Sequence, residues 1–318
     1  MLVLGQETRP EIFEGIYSLE FSGTYYSPPN IEKTEDFEGY QVFDNTESKC
    51  VVILSDRYYH TFMESLGIIL QEFNKNKETH FFILNGAPPE NMLQEHVLFF
   101  IKVLKMKNIK YTLVDLLEYK SLDRKFLIKD FYYYSYPKLT DSFVTDLYGV
   151  SSPYHFEGEP FRKVYCSRGK TKYKTGSWIT GDRDPKTLKI KDDSARMSDE
   201  LALESYLKSN GFEIVYPEDF DSFEDQIKYF SSVKTLVSPT GAGLINMCFM
   251  KDRCQVVELT IPMMVQGEST IHQHYAPIAW AKRLVYFSIP SMRSTKEVIE
   301  TIESNSVLKY LISDDRDE

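Results

Sequence analysis

The sequence predicts an α/β protein with two domains, each built around a mostly parallel sheet. The chain has 318 residues, which is enough for two packed domains of ordinary size. Hydrophobic residues make up 42% and charged residues 26% of the chain, as is typical of a soluble globular protein. Short apolar runs alternate with segments of helical periodicity along most of the chain. This alternation is typical of an open α/β sheet.

The N-terminal half carries this alternation from about residue 49. Before it, Ile16–Phe21 and Gly39–Phe43 alternate in a way that predicts short antiparallel strands. The buried-strand pattern Lys49–Leu54 leads into a helix with apolar residues at spacings of three and four. The β-α-β pattern then repeats, with the strand Phe81–Leu84, the helix Met92–Lys105, the strand Tyr111–Val114 and a strand or strand pair in Phe126–Tyr134.

The C-terminal half repeats the pattern after a predicted linker, Tyr136–Pro160, which is rich in turn-forming residues. The predicted elements are the strand Lys163–Ser167, the helix Ser198–Ser209 with a C-cap signal at Asn210-Gly211, the strand Phe212–Tyr216, the helix Phe223–Ser231, and the strands Val233–Val237, Gln255–Leu259 and Leu284–Ile289. A last helical pattern, Thr295–Leu311, is expected to be able to pack back on the first domain. The predicted domains are residues 1–150 and 151–292, with a C-terminal helix in 293–318.

A glycine turn lies between two strands of this half. The turn Gly241-Ala242-Gly243 follows an apolar strand and precedes a segment with helical spacing. Glycines let the backbone approach a diphosphate, and the N–H groups of a following helical turn favour negative charge. Glu258 ends the next strand, where a carboxylate can accept hydrogen bonds from a ribose. Asn246 stands where a dinucleotide site usually has a third Gly or Ala, so a simple tight turn explains the glycines about as well.

The overall charge and the cysteines limit the function classes. A net charge of -10 argues against nucleic acid as the main partner, because duplex binding requires a basic face. The first residues are too short an apolar run for a signal peptide, and no later run would span a bilayer, so a cytoplasmic protein is expected. The cysteines have no Cys-x-x-Cys spacing and are expected to be buried free thiols. They are Cys50, Cys166, Cys248 and Cys254.

From about Lys163 to Ile289 the chain resembles glycosyltransferase family 61. The resemblance is carried, in this order, by Val164-Tyr165-Cys166-Ser167-Arg168, Arg196-x-x-Asp199-Glu200, Gly211-Phe212-Glu213-Ile214-Val215 with Pro217-Glu218, Asp225-Gln226-Ile227 and Thr240-Gly241-Ala242-Gly243-Leu244-Ile245-Asn246. A weaker match, Tyr59-His60-x-x-x-Glu64, is similar to the family's His-containing helix start. Two positions depart from the family pattern, since Thr240 replaces the usual His and Asp199 replaces the usual Asn.

The resemblance implies a GT-B-like fold, in which two Rossmann-like domains face each other across a cleft. It implies a metal-independent, inverting hexosyl- or pentosyltransferase that needs no cofactor beyond its donor. The donor would be a nucleotide diphosphate sugar, in the first instance a UDP-sugar, and the acceptor a glycan or glycoprotein, as in polysaccharide biosynthesis. The family includes bacterial and viral capsular polysaccharide proteins, so a bacterial or viral source is expected. The alternatives are an inactive nucleotide- or glycan-binding protein of the same fold and, third, a dinucleotide-dependent oxidoreductase.

The resemblance also assigns roles to particular residues. The predicted donor-binding residues are Arg168, Arg196, Thr240, Gly241, Ala242, Gly243, Asn246 and Glu258. Arg168 follows a strand and would neutralise the diphosphate leaving group. His60 and Glu64 lie at i and i+4, and one of them would take the proton from the acceptor hydroxyl. Each residue also has an ordinary structural explanation, such as a solvated arginine or a helix cap.

Two acidic or histidine-rich segments have some features of metal sites. Asp182-Arg183-Asp184 has the Asp-x-Asp form, but it lies in a polar segment and not after an apolar strand, so solvated charge is the preferred interpretation. His272-Gln273-His274 has no third soft ligand nearby in the sequence. No metal is therefore predicted.

Overall fold

The computed structural model describes residues 11–20, 30–35, 42–43, 49–54, 61–85, 95–115, 126–133, 141–167, 200–260, 263–265, 268–270, 275–289 and 294–313. The chain divides into two compact units, and the main division falls between residues 139 and 140. Each unit has its own sheet. Because both sheets contain parallel strands joined through helices, the predicted α/β class is confirmed. The GT-B arrangement of the two units stays a prediction.

The first unit is built on a seven-stranded sheet with the order β2-β1-β7-β4-β5-β6, in which β3 also pairs with β7. Its strands are β1 Glu11–Glu20, β2 Asn30–Lys33, β3 Val42–Phe43, β4 Lys49–Leu54, β5 His80–Asn85, β6 Lys110–Asp115 and β7 Phe126–Tyr133. The pairs β7-β4, β4-β5 and β5-β6 are parallel, and β1 is antiparallel to β2 and β7. The predicted antiparallel strands are thus confirmed for β1, whereas β3 pairs in parallel with β7.

The helix after β4 begins with a turn that is wider than an α-helix. Thr61–Leu66 is a π-helical turn, and it continues as α1, Gly67–Lys75. Phe62 is fully buried, and its ring lies 6.2 Å from that of Phe99 in α2, Glu95–Met106. The predicted helix is confirmed. Successive residues are buried where it begins, and this stretch is the part that forms the π-helical turn.

The second unit is built on five parallel strands with the order β14-β11-β10-β8-β9. These are β8 Arg162–Cys166, β9 Glu213–Val215, β10 Val233–Pro239, β11 Gln255–Leu259 and β14 Val285–Ile289. A separate antiparallel pair consists of β12 Met263–Val265 and β13 Glu268–Thr270. Numbered along the chain, the five parallel strands stand in the doubly wound order 2-1-3-4-5, which reverses between β8 and β10.

Helices connect and flank these strands. They are α3 Asp141–Ser151, α4 Glu200–Ser209, α5 Phe223–Ser231, α6 Ala276–Ala281, α7 Thr295–Ser304 and α8 Ser306–Ile312, with 3₁₀ turns at Ser152–Tyr154, Pro217–Asp219 and Ala242–Phe249. Helix α4 ends as predicted, because Gly211 has a φ of 78° and the Phe212 N–H donates to the Leu207 carbonyl at 3.0 Å.

The predicted linker was wrong. Most of Tyr136–Pro160 is occupied by α3 and a short 3₁₀ turn, which belong to the second unit. Four apolar residues of α3, Phe143, Val144, Leu147 and Val150, are buried at helical spacing. Their burial stabilises a helix in a stretch whose Ser, Thr and Gly residues had suggested a loop.

The C-terminal helical pattern forms two helices. Asn305 separates them, and its side-chain oxygen accepts hydrogen bonds from the N–H groups of Val307 and Leu308 at 3.0 and 3.1 Å, so it caps α8. The buried apolar residues of both helices lie in the core of the second unit, and the suggested packing on the first domain stays a prediction. This core includes Tyr165, Leu203, Leu207, Val257, Val298, Ile302, Leu308, Leu311 and Ile312.

The four cysteines are all buried free thiols, which confirms the prediction. Burial raises the pKa of Cys248 to about 12 and that of Cys254 to about 11, so neither is activated as a nucleophile. In the part of the chain that the structure describes, no helix has both the length and the apolar character needed to cross a membrane.

Candidate functional site

The candidate site lies where the strand order of the second sheet reverses. Strands β8 and β10 are parallel neighbours, with Tyr165 opposite Val237, and they end at Cys166 and Pro239. The segment Thr240–Gly243 follows β10 directly. Open parallel sheets bind ligands beyond the carboxyl ends of the two strands at such a reversal. The predicted glycine turn therefore lies at the edge of the sheet where a ligand is expected.

The turn leads into a 3₁₀ helix. Ala242–Phe249 follows this tighter winding, and the Leu244 N–H donates to the Gly241 carbonyl at 3.0 Å. Gly241 itself is extended, with a φ of 161° and a ψ of -179°. Helical structure after the glycines was predicted, but the sequence did not distinguish this tighter form from an α-helix.

Gly243 packs against the end of β8. A Cβ atom built on Gly243 would lie 2.6 Å from Cys166 Sγ and 3.5 Å from Ser238 Oγ, and real Cβ atoms essentially never approach a heavy atom within 3.0 Å. Cys166 is 1% exposed, so its thiol has little room to move. Close packing of turn on strand thus explains the glycine at 243, whether or not a phosphate also binds there.

Asn246 is a buried residue whose side chain stabilises the glycine turn through hydrogen bonds. Its Nδ2 donates to the Gly243 carbonyl at 2.9 Å, and its Oδ1 accepts from Gln226 Nε2 of α5 at 2.7 Å. Asn246 is fully buried. These contacts make it a support for the turn, and its predicted contact with a donor stays a prediction.

Glu258 is buried at the end of β11 and accepts two hydroxyl hydrogen bonds. Thr240 Oγ1 donates to Glu258 Oε1 at 2.6 Å, and the Tyr286 hydroxyl of β14 donates to Oε2. Glu258 is 1% exposed, and burial raises the pKa of its carboxyl group, although the two hydroxyl bonds oppose this shift. A carboxylate has about four acceptor sites, so these two bonds leave acceptor capacity for the ribose contact predicted for Glu258. The Thr240 hydroxyl has one proton, so its predicted hydrogen bond to a phosphate would require the bond to Glu258 to be exchanged.

A second cluster of hydroxyl and carboxylate groups lies at the end of β8, and the sequence had not assigned it. The Tyr165 hydroxyl donates to Glu200 Oε1 at 2.9 Å, and the Tyr216 hydroxyl donates to Glu204 Oε1 at 2.9 Å. Ser167 Oγ lies 2.6 Å from Glu204 Oε1 and 3.1 Å from Glu200 Oε1. Burial, reinforced by Glu204, raises the pKa of Tyr216 to about 12. The available signal was the i, i+4 spacing of the two glutamates on one face of α4.

Other predicted residues lie outside the described ranges. These are His60, Arg168 and Arg196, together with the segments Asp182-Arg183-Asp184 and His272-Gln273-His274. Glu64 lies in the π-helical turn, but its side chain is also outside the description. Among the residues described, no three His, Cys, Asp or Glu side chains converge as metal ligands.

Comparison with known proteins agrees with the resemblance. The sequence model of the family Glycosyltransferase 61 matches residues 58–257, which is more than half of the 318 residues. No curated protein matches the chain. The matched range runs from just before the π-helical turn of the first unit to β11 of the second, and it includes the glycine turn and the glutamates of α4. The chain therefore belongs to glycosyltransferase family 61, and this membership indicates glycosyltransferase activity.

Proposed function

We propose that the protein transfers a sugar from a UDP-sugar to a hydroxyl group of a glycan or protein-linked acceptor, with inversion at the anomeric carbon. One observation carries the donor half of this proposal. The second unit has the doubly wound strand order, and the glycine turn lies at its reversal point. Such edges bind nucleotides, because free backbone N–H groups at the start of a helical turn can hold a diphosphate.

The leaving group is a nucleoside diphosphate, and its developing charge has to be stabilised. Arg168 directly follows Ser167 at the end of β8, and Arg196 precedes Glu200 of α4 by four residues. In the proposal both guanidinium groups contact the diphosphate and replace the metal ion that other transferases use. Ala242 and the two glycines of the turn contribute backbone contacts.

The acceptor has to lose a proton as it attacks. In an inverting transfer the acceptor oxygen forms a bond to the anomeric carbon while the bond from that carbon to the diphosphate oxygen breaks, and a base takes the hydroxyl proton. We assign the base to His60, which directly precedes the π-helical turn, with Glu64 as its orienting carboxylate. π-helical turns occur often at functional sites, which supports this assignment.

A second candidate is a protein of the same fold that binds a nucleotide or glycan without transfer. Thr240 favours it, since the family usually has His there and the Thr240 hydroxyl already donates to Glu258 at 2.6 Å. Family membership argues against the oxidoreductase alternative.

Nucleotide binding and turnover test these candidates together. Thermal unfolding should be recorded with UDP, GDP, CMP, dTDP and NAD. At about a hundred times its dissociation constant, UDP should add roughly 2.7 kcal/mol of stability, and NAD should add none. Release of UDP from UDP-sugars should then be measured with glycan acceptors. Stabilisation by UDP without turnover on any donor would favour the binding protein. No stabilisation by any nucleotide would overturn the transferase and the nucleotide-binding form of the second candidate, and would leave only a glycan-binding protein.

A further inference from the structure

We propose that Glu200 and Glu204 are positioning residues of the donor site, because they hold the carboxyl end of β8 at the point where the strand order reverses. The inference rests on the proposed function, in which a nucleotide sugar binds at that edge. Neither glutamate needs to touch the donor. Their effect passes through Ser167 and Cys166 to the glycine turn.

Ser167 is held from several sides. Its Oγ lies 2.6 Å from Glu204 Oε1 and 3.1 Å from Glu200 Oε1, and its N–H donates to the Val215 carbonyl of β9 at 2.9 Å. A serine hydroxyl has one proton to donate, so the shorter contact identifies Glu204 as the principal acceptor. Ser167 is 2% exposed, and these contacts fix the end of β8 within the sheet.

Each glutamate is in turn anchored by a tyrosine. The Tyr165 hydroxyl donates to Glu200 at 2.9 Å, and the ring of Tyr165 is fully buried in the core of the second unit. Tyr216 directly follows β9, and its hydroxyl donates to Glu204 Oε1 at 2.9 Å. Hydrogen bonds to a carboxylate are stronger than those between neutral groups. The network therefore joins α4 and the ends of two strands into one rigid edge.

The end of β8 is also the surface on which the glycine turn packs. The Ser238 hydroxyl of β10 lies 3.2 Å from the Cys166 carbonyl and 3.1 Å from the Pro239 carbonyl, and Gly243 lies against Cys166 Sγ. A shift of Cys166 and Ser167 would therefore move the turn that we propose to bind the diphosphate. This path is the physical link between the glutamates and the donor.

The test compares UDP affinity, measured by calorimetry, in Glu200→Ala, Glu200→Gln and Ser167→Ala. Glu200→Ala and Ser167→Ala should each weaken UDP binding about tenfold, the effect expected when one charged hydrogen bond that orders the site is lost. Glu200→Gln keeps an acceptor oxygen and should recover most of the affinity. Tyr206→Phe is the matched control, because Tyr206 lies on the same helix but donates to Glu303 of α7 at 2.6 Å. It should bind UDP as the wild type does.

The outcomes separate the inference from the function on which it rests. Wild-type affinity in folded Glu200→Ala and Ser167→Ala proteins would overturn the inference and leave UDP binding intact. An equal loss in Tyr206→Phe would also overturn it, since the effect would then be general destabilisation. No UDP binding by the wild-type protein would overturn both. If Glu200→Ala does not fold, Tyr165→Phe, which removes only the hydroxyl bonded to Glu200, decides together with Ser167→Ala.

Discussion

Gly243 lies so close to Cys166 that a Cβ atom on the glycine would come within 2.6 Å of the cysteine Sγ. The two residues belong to the turn after β10 and to the end of β8, the two strands between which the order of the sheet reverses. One small residue therefore brings the turn and the strand end together at the candidate donor site. The sequence left a phosphate contact and a simple tight turn as alternatives for these glycines, and the structure adds a packing role for Gly243.

Gly243→Ala should therefore destabilise the fold by about 1–3 kcal/mol, the usual cost of overpacking a buried site. Cys166→Ala removes Sγ and leaves Ser238 Oγ at 3.5 Å and the Cβ of residue 166 at 3.8 Å from the added methyl group, both ordinary contact distances. In the double variant the penalty of the alanine at 243 should be largely relieved. Urea unfolding of both singles and the double gives the coupling energy. Strictly additive losses would contradict the packing role.

The carboxyl group of Glu258 should make stability depend on pH. Burial raises its pKa in the folded state above the ordinary value of 4.5, so the folded state binds the proton more tightly than the unfolded chain. The protonated Glu258 carboxyl group therefore contributes fully to the free energy of unfolding below pH 4.5. This contribution is lost as pH rises through the raised pKa, at no more than about 1.4 kcal/mol per pH unit. In urea unfolding the difference in stability between wild type and Glu258→Gln should fall with rising pH. A difference that is constant from pH 4 to 8 would contradict this.

His155 should contribute a pH dependence of the opposite sign. Burial, followed by the charges of Lys282 and Lys251, lowers its pKa from 6.5 to about 4. Its neutral form is favoured in the fold, where Nε2 lies 2.8 Å from Ser151 Oγ. Stability should therefore decrease as pH falls from about 6.5 to about 4, and His155→Gln should show a smaller decrease. Thermal unfolding across this range checks the slope, and identical slopes would show that His155 is not the group responsible.

Arg168→Ala should lower the turnover number more than it weakens donor binding, because the arginine is proposed to stabilise charge that develops on the departing diphosphate. Arg162 offers a matched control, because it lies on the strand that precedes Arg168 in the sequence. It lies at the start of β8, where its Nη1 is 2.6 Å from Glu213 Oε1. Transfer by Arg162→Ala should match the wild type. If the turnover number of Arg168→Ala at saturating donor equals that of the wild type, Arg168 does not stabilise the leaving group and is an ordinary surface arginine.

His60→Ala and Glu64→Ala should each keep near-native UDP affinity while losing roughly 10²-fold or more in transfer, the usual size of a general-base contribution. Their losses should not add in the double variant, since a base and its orienting carboxylate act as a unit. His80→Asn is the control in the same unit, because His80 lies on β5 and pairs with Thr112 at 2.8 Å. If His60→Ala transfers sugar at the wild-type rate, His60 is not the general base, and Glu64 or Asp56 becomes the next candidate.

Most of the secondary structure could be predicted from the sequence, because it depends on neighbours within one or two turns. The apolar run Gln255–Leu259 is a strand as predicted, and Gly211 takes a φ of 78°, which glycine adopts at a helix end without a steric penalty. Two wrong predictions, the linker and the single C-terminal helix, arose where neighbouring residues favoured different structures. In α3 the turn-forming residues outweighed the apolar spacing in the prediction, and at Asn305 a capping side chain divided an apparently continuous helix.

The candidate site divides in the same way. The glycine turn and its place after a strand were visible in the sequence, because a strand, a turn and a helix follow one another along the chain. The 2-1-3-4-5 strand order, the contact of Gly243 with Cys166 and the meeting of Ser167 with Glu200 were decided by the tertiary structure. Strand order and register bring these residues together across long chain separations, and no local propensity encodes which strand lies beside which.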